Sequence, residues 1–340
     1  MMQAAVYVGD GTMTVQDVPR PEPGPGEVLV EIAECGICGS DLHMVLERYA
    51  KPGAVLGHEW SGIVASASSG SGWAPGDRVV GNPSPGCGVC RPCRRGRPSV
   101  CLARAPVDFL DSRGAFCRYK SVAADGLIRI PDSLPTRVAA LAEPTAIALH
   151  AVSVGGVEAS DRVLVTGAGP VGLLIIAVLR AQGVSDITVS EPSPVRRQRA
   201  LDVGATRAVT PDALVEPPMG VLVAQPFAVA FECSGHASAI EAALSQLGSA
   251  GTLVVVGTGS ETPRVNQNRM IIFELEIAGA YNYNEDGFQP AVDLLASGTL
   301  PIEFLIEPDD IPLNGVMQAM ERLARGEIPS KVMVRPGLSS

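Results

Sequence analysis

The sequence predicts an α/β protein in which a mostly antiparallel β domain precedes a parallel sheet covered by helices on both faces. Residues 1–145 contain short Val, Ile and Ala runs broken by Gly and Pro, a pattern typical of irregular β structure. From residue 146 onward, strand and helix patterns alternate, which indicates a doubly wound parallel sheet. The length of 340 residues and the 46% hydrophobic composition suffice for about two domains.

The first domain, residues 1–145, takes its predicted strands from apolar runs that end at turn residues. Asp10-Gly11 is a hairpin signal after the first of these runs. The predicted strands are Ala4–Val8, Val28–Ala33, Gly62–Ala67, Arg78–Gly81 and Leu127–Ile130.

The second domain is predicted over residues 146–282, and residues 283–340 are expected to return to the first domain. Helices are expected at Val171–Gln182 and in a segment that ends at Val203. The predicted parallel strands are Arg162–Val165, Ile187–Ser190, Ala228–Glu232, Leu253–Val256 and Glu276–Gly279. The remaining chain offers two amphipathic segments and one strand, too few elements for a third domain: Phe288–Ser297, Leu313–Arg325 and Lys331–Val334.

Charge and composition exclude several functions. The chain has 26 Lys and Arg against 36 Asp and Glu, and its net charge of −10 disfavours binding to nucleic acid or to an anionic membrane. A small neutral or cationic substrate fits this charge better. No apolar run approaches the ~20 residues that span a bilayer, and the first residues lack a signal-peptide pattern, so we expect a cytoplasmic protein.

A glycine-rich motif lies between the first strand and the first helix of the second domain. It reads Gly167-Ala-Gly169-Pro170-Val171-Gly172. Gly167 permits a tight turn, Gly169 lets backbone amides approach a pyrophosphate, and Gly172 lets the helix pack on the strand. Pro170 suits the first helical turn, where its missing N–H has no partner to lose. In this context the motif predicts a dinucleotide site rather than a glycine-rich loop without function.

Glu191 closes the next strand, 19 residues after Gly172. A carboxylate at this place accepts hydrogen bonds from the ribose hydroxyls of NAD and repels the additional phosphate of NADP. Arg196 and Arg197 follow closely and would soften that repulsion. We therefore expect NAD(H), with NADP(H) as the alternative, and assign Glu191 and Arg196 to the cofactor site.

Four of the eight cysteines are clustered in residues 87–101. A closed tetrahedral zinc site requires four thiolates. An iron–sulfur cluster would favour fewer residues between the third and fourth cysteines, and disulfides do not suit a reducing compartment. Arginines between these cysteines can offset the negative charge of the thiolates, but they also suggest a zinc knuckle that binds nucleic acid. The proposed ligands of a structural zinc are Cys87, Cys90, Cys93 and Cys101.

A second group of ligands consists of Cys38 and the pair His58-Glu59, one soft and two harder donors. In a regular strand His58 and Glu59 would face opposite sides, so a shared metal requires a bent backbone, which Gly57 permits. Each residue also has a simpler explanation. Cys38 could be a small core residue and His58 a hydrogen-bonded loop histidine, while the neighbouring Ser40 or Asp41 could cap a helix.

Taken together, these motifs resemble the zinc-dependent medium-chain dehydrogenase/reductase superfamily, typified by alcohol, sorbitol and threonine dehydrogenases. The resemblance extends over nearly the whole chain. It implies a GroES-like catalytic domain with an inserted Rossmann domain, two zinc ions per chain (one catalytic and one structural), and a homo-oligomer, either a dimer or a tetramer. The motifs that carry it are Cys38, Ser40 and His43, then Gly57-His58-Glu59, the four cysteines, the glycine motif and Glu191.

One further segment indicates the branch of this superfamily. Where alcohol dehydrogenases have another cysteine, Leu141-Ala142-Glu143-Pro144 resembles the Glu-Pro of the sorbitol and polyol branch. The resemblance implies that Cys38, His58 and Glu59 bind the catalytic zinc and that Glu143 binds it directly or through its water. Which glutamate is the direct ligand stays open. Binding both would give the site a net negative charge, so we expect that the two are not bound equally throughout the cycle.

The reaction that the resemblance implies is hydride transfer between NAD(H) and a secondary alcohol or ketone, with a polyol, sugar or cyclitol as substrate. Ser40 would accept the proton of the substrate hydroxyl and pass it through the cofactor ribose to His43, a residue type that titrates near neutral pH. Sorbitol itself is disfavoured because Asn282-Tyr283 stands where sorbitol dehydrogenases have an Arg-Tyr pair. The residues expected to border the cofactor are Cys233, Val256 and Gly257.

Several alternatives remain at this point. Within the same superfamily the chain could oxidise a simple alcohol or an amino alcohol such as threonine. Outside it, the rivals are the nucleic-acid-binding zinc knuckle and a nucleotide-binding protein without catalysis, and neither of these needs Ser40, His43 or Glu143. The segments Met44–Lys51 and Tyr281–Glu285 are expected to shape the substrate pocket.

Overall fold

The structure, a computed structural model, describes residues 1–81, 86–103, 114–283 and 288–338. The predicted pocket segment Tyr281–Glu285 therefore lies partly outside the described residues. Within the described part of the chain, no helix has the length and apolar character needed to cross a membrane.

The first domain is built from an antiparallel sheet and a separate hairpin. Its strands are β1 (Met2–Gly9), β2 (Thr12–Val18), β3 (Glu27–Gly36), β4 (Glu59–Ala67), β5 (Arg78–Gly81), β6 (Tyr119–Ala123) and β7 (Leu127–Arg129). Strands β1 and β2 pair through a turn at Asp10 and Gly11, which both have positive φ. Strand β3 lies centrally and pairs antiparallel with β4 and β6. The short helices here are α1 (Gly39–Leu46), α2 (Arg91–Arg94) and α3 (Thr136–Ala139).

The second domain is a six-stranded parallel sheet. Its strands are β8 (Arg162–Thr166), β9 (Asp186–Ser190), β10 (Arg207–Val209), β11 (Phe227–Glu232), β12 (Leu247–Val255) and β13 (Glu276–Gly279). The order β10-β9-β8-β11-β12-β13 reverses direction between β8 and β11, and ligands of such sheets bind where the order reverses. Its helices are α4 (Ala142–Gly155), α5 (Pro170–Ala181), α6 (Pro194–Val203), α7 (Ala237–Gln246) and α8 (Gln267–Phe273).

Helix α5 shows why the glycine motif holds its position. Residues Gly172–Leu179 are all buried, so this helix is apolar around its whole circumference and lies inside the domain. Strand β8 before it is buried from Val163 to Thr166. The turn between them is thereby fixed between two core elements.

The C-terminal segment divides between the two domains. It contains α9 (Phe288–Ala296), α10 (Ile302–Leu305), α11 (Val316–Ala324) and β14 (Met333–Val334). Helix α9 packs in the same core as α4 and α5, whereas α11 packs in the core of the first domain and β14 pairs with β3. The domain boundaries stay predictions, but these contacts favour assigning α9 to the second domain rather than to the return segment that starts at residue 283.

The predicted fold class is confirmed: an antiparallel β domain carries an inserted doubly wound parallel sheet. Strands β5 and β13 have the predicted bounds. Strand β12 begins six residues before the predicted Leu253, and the other predicted strands differ by one to three residues at their ends.

Candidate active site and metal centres

Cys38, His58 and Glu59 converge although twenty residues separate the first from the pair. Cys38 precedes α1, and Glu59 begins β4. One ligand atom of each residue lies within 4.8 Å of the others. Gly57, directly before the pair, has a φ of +93°, and a Cβ there would lie 2.8 Å from Cys35 Sγ, so the backbone departs from a regular strand at this point. The donors present, a thiol, an imidazole and a carboxylate, are the types that zinc prefers.

Asp41 holds two of these ligands in place. Its carboxylate is fully buried and accepts hydrogen bonds from the backbone N–H of Cys38 at 3.0 Å and of Gly57 at 3.2 Å. It also lies 3.6 Å from Nδ1 of His58. Burial lowers the pKa of His58, but the charges of Asp41 and Cys38 outweigh that effect and raise the pKa well above its usual value. The same negative charges would attract a metal cation.

Lys331 pairs with the third ligand from the other end of the chain. Its Nζ lies 2.7 Å and 2.6 Å from the two carboxylate oxygens of Glu59 and donates to the carbonyl of Ile37 at 3.1 Å. Both side chains of this pair are 1% exposed. Burial lowers the pKa of Lys331, but the charge of Glu59 outweighs it, so the pKa is raised. Glu59 is therefore paired with a buried cation.

Glu143 lies in the first turn of α4 and lines the same cleft, although it does not join the three-ligand group among the described residues. Burial raises the pKa of its carboxyl group to about 7, a change that the neighbouring charge of Glu59 reinforces. Glu143 can thus be either protonated or ionised near neutral pH.

The predicted relay residues both belong to α1. Ser40 Oγ lies 3.4 Å from Nε2 of His58. His43 is one turn further along, 40% exposed, and its Nδ1 contacts a carboxylate oxygen of Glu47. Both residues line the cleft. The structure therefore places Ser40 beside the candidate metal ligands and His43 nearer to solvent.

The cleft itself has a volume of about 270 Å³ and lies between the two domains. The first domain contributes the candidate metal ligands, and α4 contributes Glu143 with the apolar Pro144 and Ile147. The parallel sheet contributes residues that follow the ends of its strands, where the strand order reverses. The predicted cofactor neighbours among them are Val171, Cys233, Val256 and Gly257.

The glycine motif has the geometry that a dinucleotide requires. Gly167 has a φ of +91°, and a Cβ on Gly172 would lie 2.1 Å from the carbonyl oxygen of Gly167, so neither position accepts a side chain without displacement. A Cβ on Gly169 would meet no atom within 4 Å, which leaves open space in front of α5. Pro170 is the first residue of that helix. Backbone amides at a helix N-terminus with open space before them fit a pyrophosphate.

Glu191 lies at the end of β9 with its side chain buried against this motif. Its carboxylate accepts hydrogen bonds from the N–H of Ala168 at 2.8 Å and of Ser193 at 2.9 Å. Arg196, by contrast, donates to the carbonyl oxygens of Leu323 at 2.9 Å and Ile328 at 3.2 Å. This placement gives Arg196 a role in holding the C-terminal segment, and its predicted contact with the cofactor stays a prediction.

The four cysteines of residues 87–101 form the second candidate metal group, with their sulfur atoms within 4.8 Å of one another. Backbone N–H groups of Cys87 and Cys90 donate to the sulfurs of Cys101 at 3.3 Å and Cys87 at 3.4 Å. Backbone hydrogen bonds lower the pKa of Cys90 to about 6, whereas burial raises that of Cys93 to about 12. The arrangement is compact, closed and well suited to a structural zinc.

Two residues of the active site are not predicted from the sequence. The sequence suggests Asp41 only as a helix cap and Lys331 only as part of a strand. The one signal for Lys331 is a lysine at the start of a predicted strand whose other residues, Val332–Val334, are all apolar. The sequence of α1 holds no comparable signal for Asp41, because an acidic residue in a first helical turn is common.

Comparisons with known proteins agree with this geometry. Residues 24–132 match the family described as "Alcohol dehydrogenase GroES-like domain", and residues 170–297 match the one described as "Zinc-binding dehydrogenase". Sorbitol dehydrogenase of Macaca fascicularis is 33% identical, over 97% of this chain and 94% of that protein.

Two solved structures are similar over almost their whole length. A zinc-binding dehydrogenase from Sinorhizobium meliloti bound to NADP is 31% identical, with a TM-score of 0.86 and coverage of 99% of both chains. An alcohol dehydrogenase from Escherichia coli complexed with NADH is 28% identical, with a TM-score of 0.87 and coverage of 98% of this chain and 99% of that one. The chain belongs to the zinc-binding, GroES-like alcohol dehydrogenase family, and it is a zinc- and NAD(H)-dependent dehydrogenase of the alcohol and polyol class.

Proposed function

We propose that this dehydrogenase oxidises a secondary hydroxyl group of a polyol, sugar or cyclitol with NAD⁺. The observation that carries the proposal is Glu143, a buried carboxyl group in the cleft that also holds Cys38, His58 and Glu59. A site with two carboxylates beside one thiolate resembles the polyol branch of the family, and the similarity to sorbitol dehydrogenase supports this assignment.

Cys38, His58 and Glu59 would hold the catalytic zinc, with Glu143 close by, and the four cysteines of residues 87–101 would hold the structural zinc. When bound, the catalytic zinc lowers the pKa of the substrate hydroxyl, which makes hydride transfer to the nicotinamide easier. Asp41 orients Cys38 and His58, and Lys331 balances the charge of Glu59. Lys331 adds one positive charge and the buried Asp41 one negative charge, so these two residues cancel. A zinc site that bound both Glu59 and Glu143 would still carry a net negative charge, which disfavours equal binding of the two glutamates.

The proton leaves by a separate path. Ser40 would accept the proton of the substrate hydroxyl as it gives its own hydroxyl proton to the cofactor ribose, and His43, which is closer to solvent, would accept a proton from that ribose and release it. The apolar side chains of Pro144, Ile147 and Val171 limit the access of water to the reacting atoms. Different parts of the cleft therefore serve zinc binding, proton transfer and the exclusion of water.

A panel of polyols, sugars, cyclitols, amino alcohols and simple alcohols, with NADH absorbance as the readout, tests the substrate class. We expect the highest kcat/KM for a polyol, sugar or cyclitol. Highest kcat/KM for a simple primary alcohol or for threonine would contradict the proposal. The same panel with the Glu143→Gln variant should show reduced turnover, since that change removes an ionisable group from the cleft.

A homo-oligomer is the second part of the proposal. Strand β13 is at one end of the parallel sheet and pairs only with β12 among the described residues. Ile277 on this strand is 44% exposed, and Ile271 and Ile272 on α8 are 73% and 54% exposed. An open strand edge beside exposed isoleucines favours pairing with a second copy of the chain. Light scattering should therefore give at least twice the mass of one chain, and Ile277→Lys should lower it.

We also place the protein in a reducing compartment such as the cytoplasm. All eight cysteines are free thiols. Cys38 and the four cysteines of residues 87–101 belong to the two candidate metal groups. Thiolate ligands persist only where oxidation to disulfides is prevented, so this cysteine usage supports the assignment.

A further inference from the structure

Glu47 directly follows helix α1 and contacts the predicted relay residue. His43 and Glu47 are four residues apart, which places their side chains on the same face of a helical turn. Nδ1 of His43, which lines the cleft, forms a hydrogen bond with a carboxylate oxygen of Glu47, and the two side chains are 40% and 39% exposed. The pair therefore lies where a proton that leaves the site would meet solvent.

This contact fixes which nitrogen of His43 carries the proton. An ionised carboxylate only accepts hydrogen bonds, so Nδ1 must donate. In the neutral imidazole, Nε2 is then left with a free lone pair and is the nitrogen that can accept a proton. Hydrogen bonds from His43 and Tyr49 lower the pKa of Glu47, which keeps this carboxylate ionised at neutral pH.

Helix stability does not explain a glutamate at this place. The carbonyl groups at the end of α1 carry partial negative charge, which favours a cation and disfavours a carboxylate. The adjacent Arg48 is oriented toward Asp10, at 3.9 Å, rather than toward Glu47. The Glu47 carboxylate instead lies against Nδ1 of His43.

We infer that Glu47 is a positioning residue for proton release: it holds His43 as the Nδ1–H tautomer and stabilises the imidazolium that forms when Nε2 accepts a proton. The proton then passes from the imidazolium to water or buffer, one proton for each hydride transferred. This inference rests on the proposed function, because it requires His43 to be part of the proton path.

A double-mutant cycle on the zinc-loaded enzyme tests it. We expect His43→Gln to lower kcat at neutral pH by about 100-fold and Glu47→Gln by about fivefold to tenfold. Because Glu47 acts through His43, Glu47→Gln should have no further effect in the His43→Gln background. If Glu47→Gln lowered kcat by the same factor in the wild-type and His43→Gln backgrounds, or lowered kcat in neither, the inference would be overturned. The matched control is Asp10→Asn, which removes a carboxylate from the same end of α1 and leaves the His43 contact intact.

Nitrogen NMR of ¹⁵N-histidine-labelled enzyme gives a readout independent of turnover, and the chain has only four histidines to assign. His43 should show the Nδ1–H tautomer in the wild type and a mixture of tautomers in Glu47→Ala. A mixture, or the Nε2–H tautomer, in the wild type would overturn the inference.

Failure of the proposed function would be recognised separately. A wild type that oxidises no alcohol in the panel contradicts the proposed function. An active wild type whose His43→Gln variant keeps the full rate contradicts the relay, and the inference about Glu47 with it.

Discussion

The two candidate zinc sites differ in how far apart their ligands lie in the sequence. Four cysteines within residues 87–101 form the closed site, and their sulfurs accept hydrogen bonds from their own backbone. The open site consists of Cys38, His58 and Glu59, which come from two segments, and Glu59 forms an ion pair with Lys331 near the end of the chain. The first site is local, whereas the second exists only when the whole fold is complete.

The surroundings of the two sites differ in the same way. The closed site has backbone donors around its sulfurs, which fits a metal that holds a loop together. The open site has buried charged residues around its ligands, namely Asp41, Lys331 and Glu143. Buried charges are costly unless they are paired, so their concentration here indicates a site where function outweighs stability. A ligand set alone therefore does not describe a metal site.

The largest expected effect is at the closed site. Cys93→Ser should remove about one zinc per chain and several kcal/mol of stability, because structural zinc binding contributes about 10–16 kcal/mol to folding. Zinc content and urea unfolding measure the two losses. Any folded enzyme that remains should keep its second zinc.

Cys38→Ser is the matched control for that comparison. It should abolish most turnover while the unfolding midpoint stays close to that of the wild type, since the open site is not needed to hold the closed loop. If Cys38→Ser destabilised the protein as much as Cys93→Ser, the distinction between the two sites would be lost.

The same difference explains how much could be predicted from the sequence. The four cysteines, the glycine motif and the parallel strands are periodic or closely spaced, so local rules identify them. Lys331 reaches Glu59 because β14 and β4 both pair with β3, and no spacing rule relates residue 331 to residue 59. Asp41 accepts from the nearby N–H of Cys38, but its hydrogen bond from Gly57 depends on the tertiary fold. Arg196 shows the reverse case, because its proximity to Glu191 in the sequence suggests a cofactor contact while its guanidinium binds backbone carbonyls near residue 328.

Lys331→Met tests the charge balance of the open site. It leaves the Glu59 carboxylate buried without its cation, and loss of one partner of a buried pair costs about 3–5 kcal/mol. Urea unfolding of protein that lacks only the zinc of the open site should show this loss, and the fully zinc-loaded enzyme should show a smaller loss, because zinc supplies positive charge to Glu59. The control is Arg118→Met, which breaks an exposed pair with Glu31 and should cost about 0–1 kcal/mol. Equal losses with and without zinc would mean that Glu59 does not face the metal.

Glu143→Gln tests the second carboxyl group of the open site through pH. Burial raises the pKa of Glu143 from 4.5 to about 7. A carboxyl group with a raised pKa stabilises the fold below its unfolded pKa, and this contribution is lost as pH rises through the folded value. Without zinc in the open site, the wild type should therefore lose stability relative to Glu143→Gln as the pH rises from about 4.5 to about 7. An unfolding free-energy difference between the two proteins that is independent of pH would contradict the raised pKa.

Glu191→Ala should have the smallest effect of these changes. At the cofactor site, as at the open zinc site, a local motif depends on a residue from another segment, here the end of β9. The Glu191 carboxylate accepts the N–H groups of Ala168 and Ser193, so it both holds the glycine motif and places a negative charge near the ribose site. The negative charge at this position repels the additional phosphate of NADP⁺, so the wild type should have a higher kcat/KM with NAD⁺ than with NADP⁺. Glu191→Ala should reduce the ratio of these two kcat/KM values by about tenfold, or about 1.4 kcal/mol.

Glu191→Gln separates the two roles, because its amide oxygen can still accept a hydrogen bond from a backbone N–H although the charge is gone. If charge decides the preference, Gln and Ala should change it equally, and only Ala should lower the unfolding midpoint. A wild type that uses NADP⁺ as well as NAD⁺ would show that Glu191 serves the motif alone.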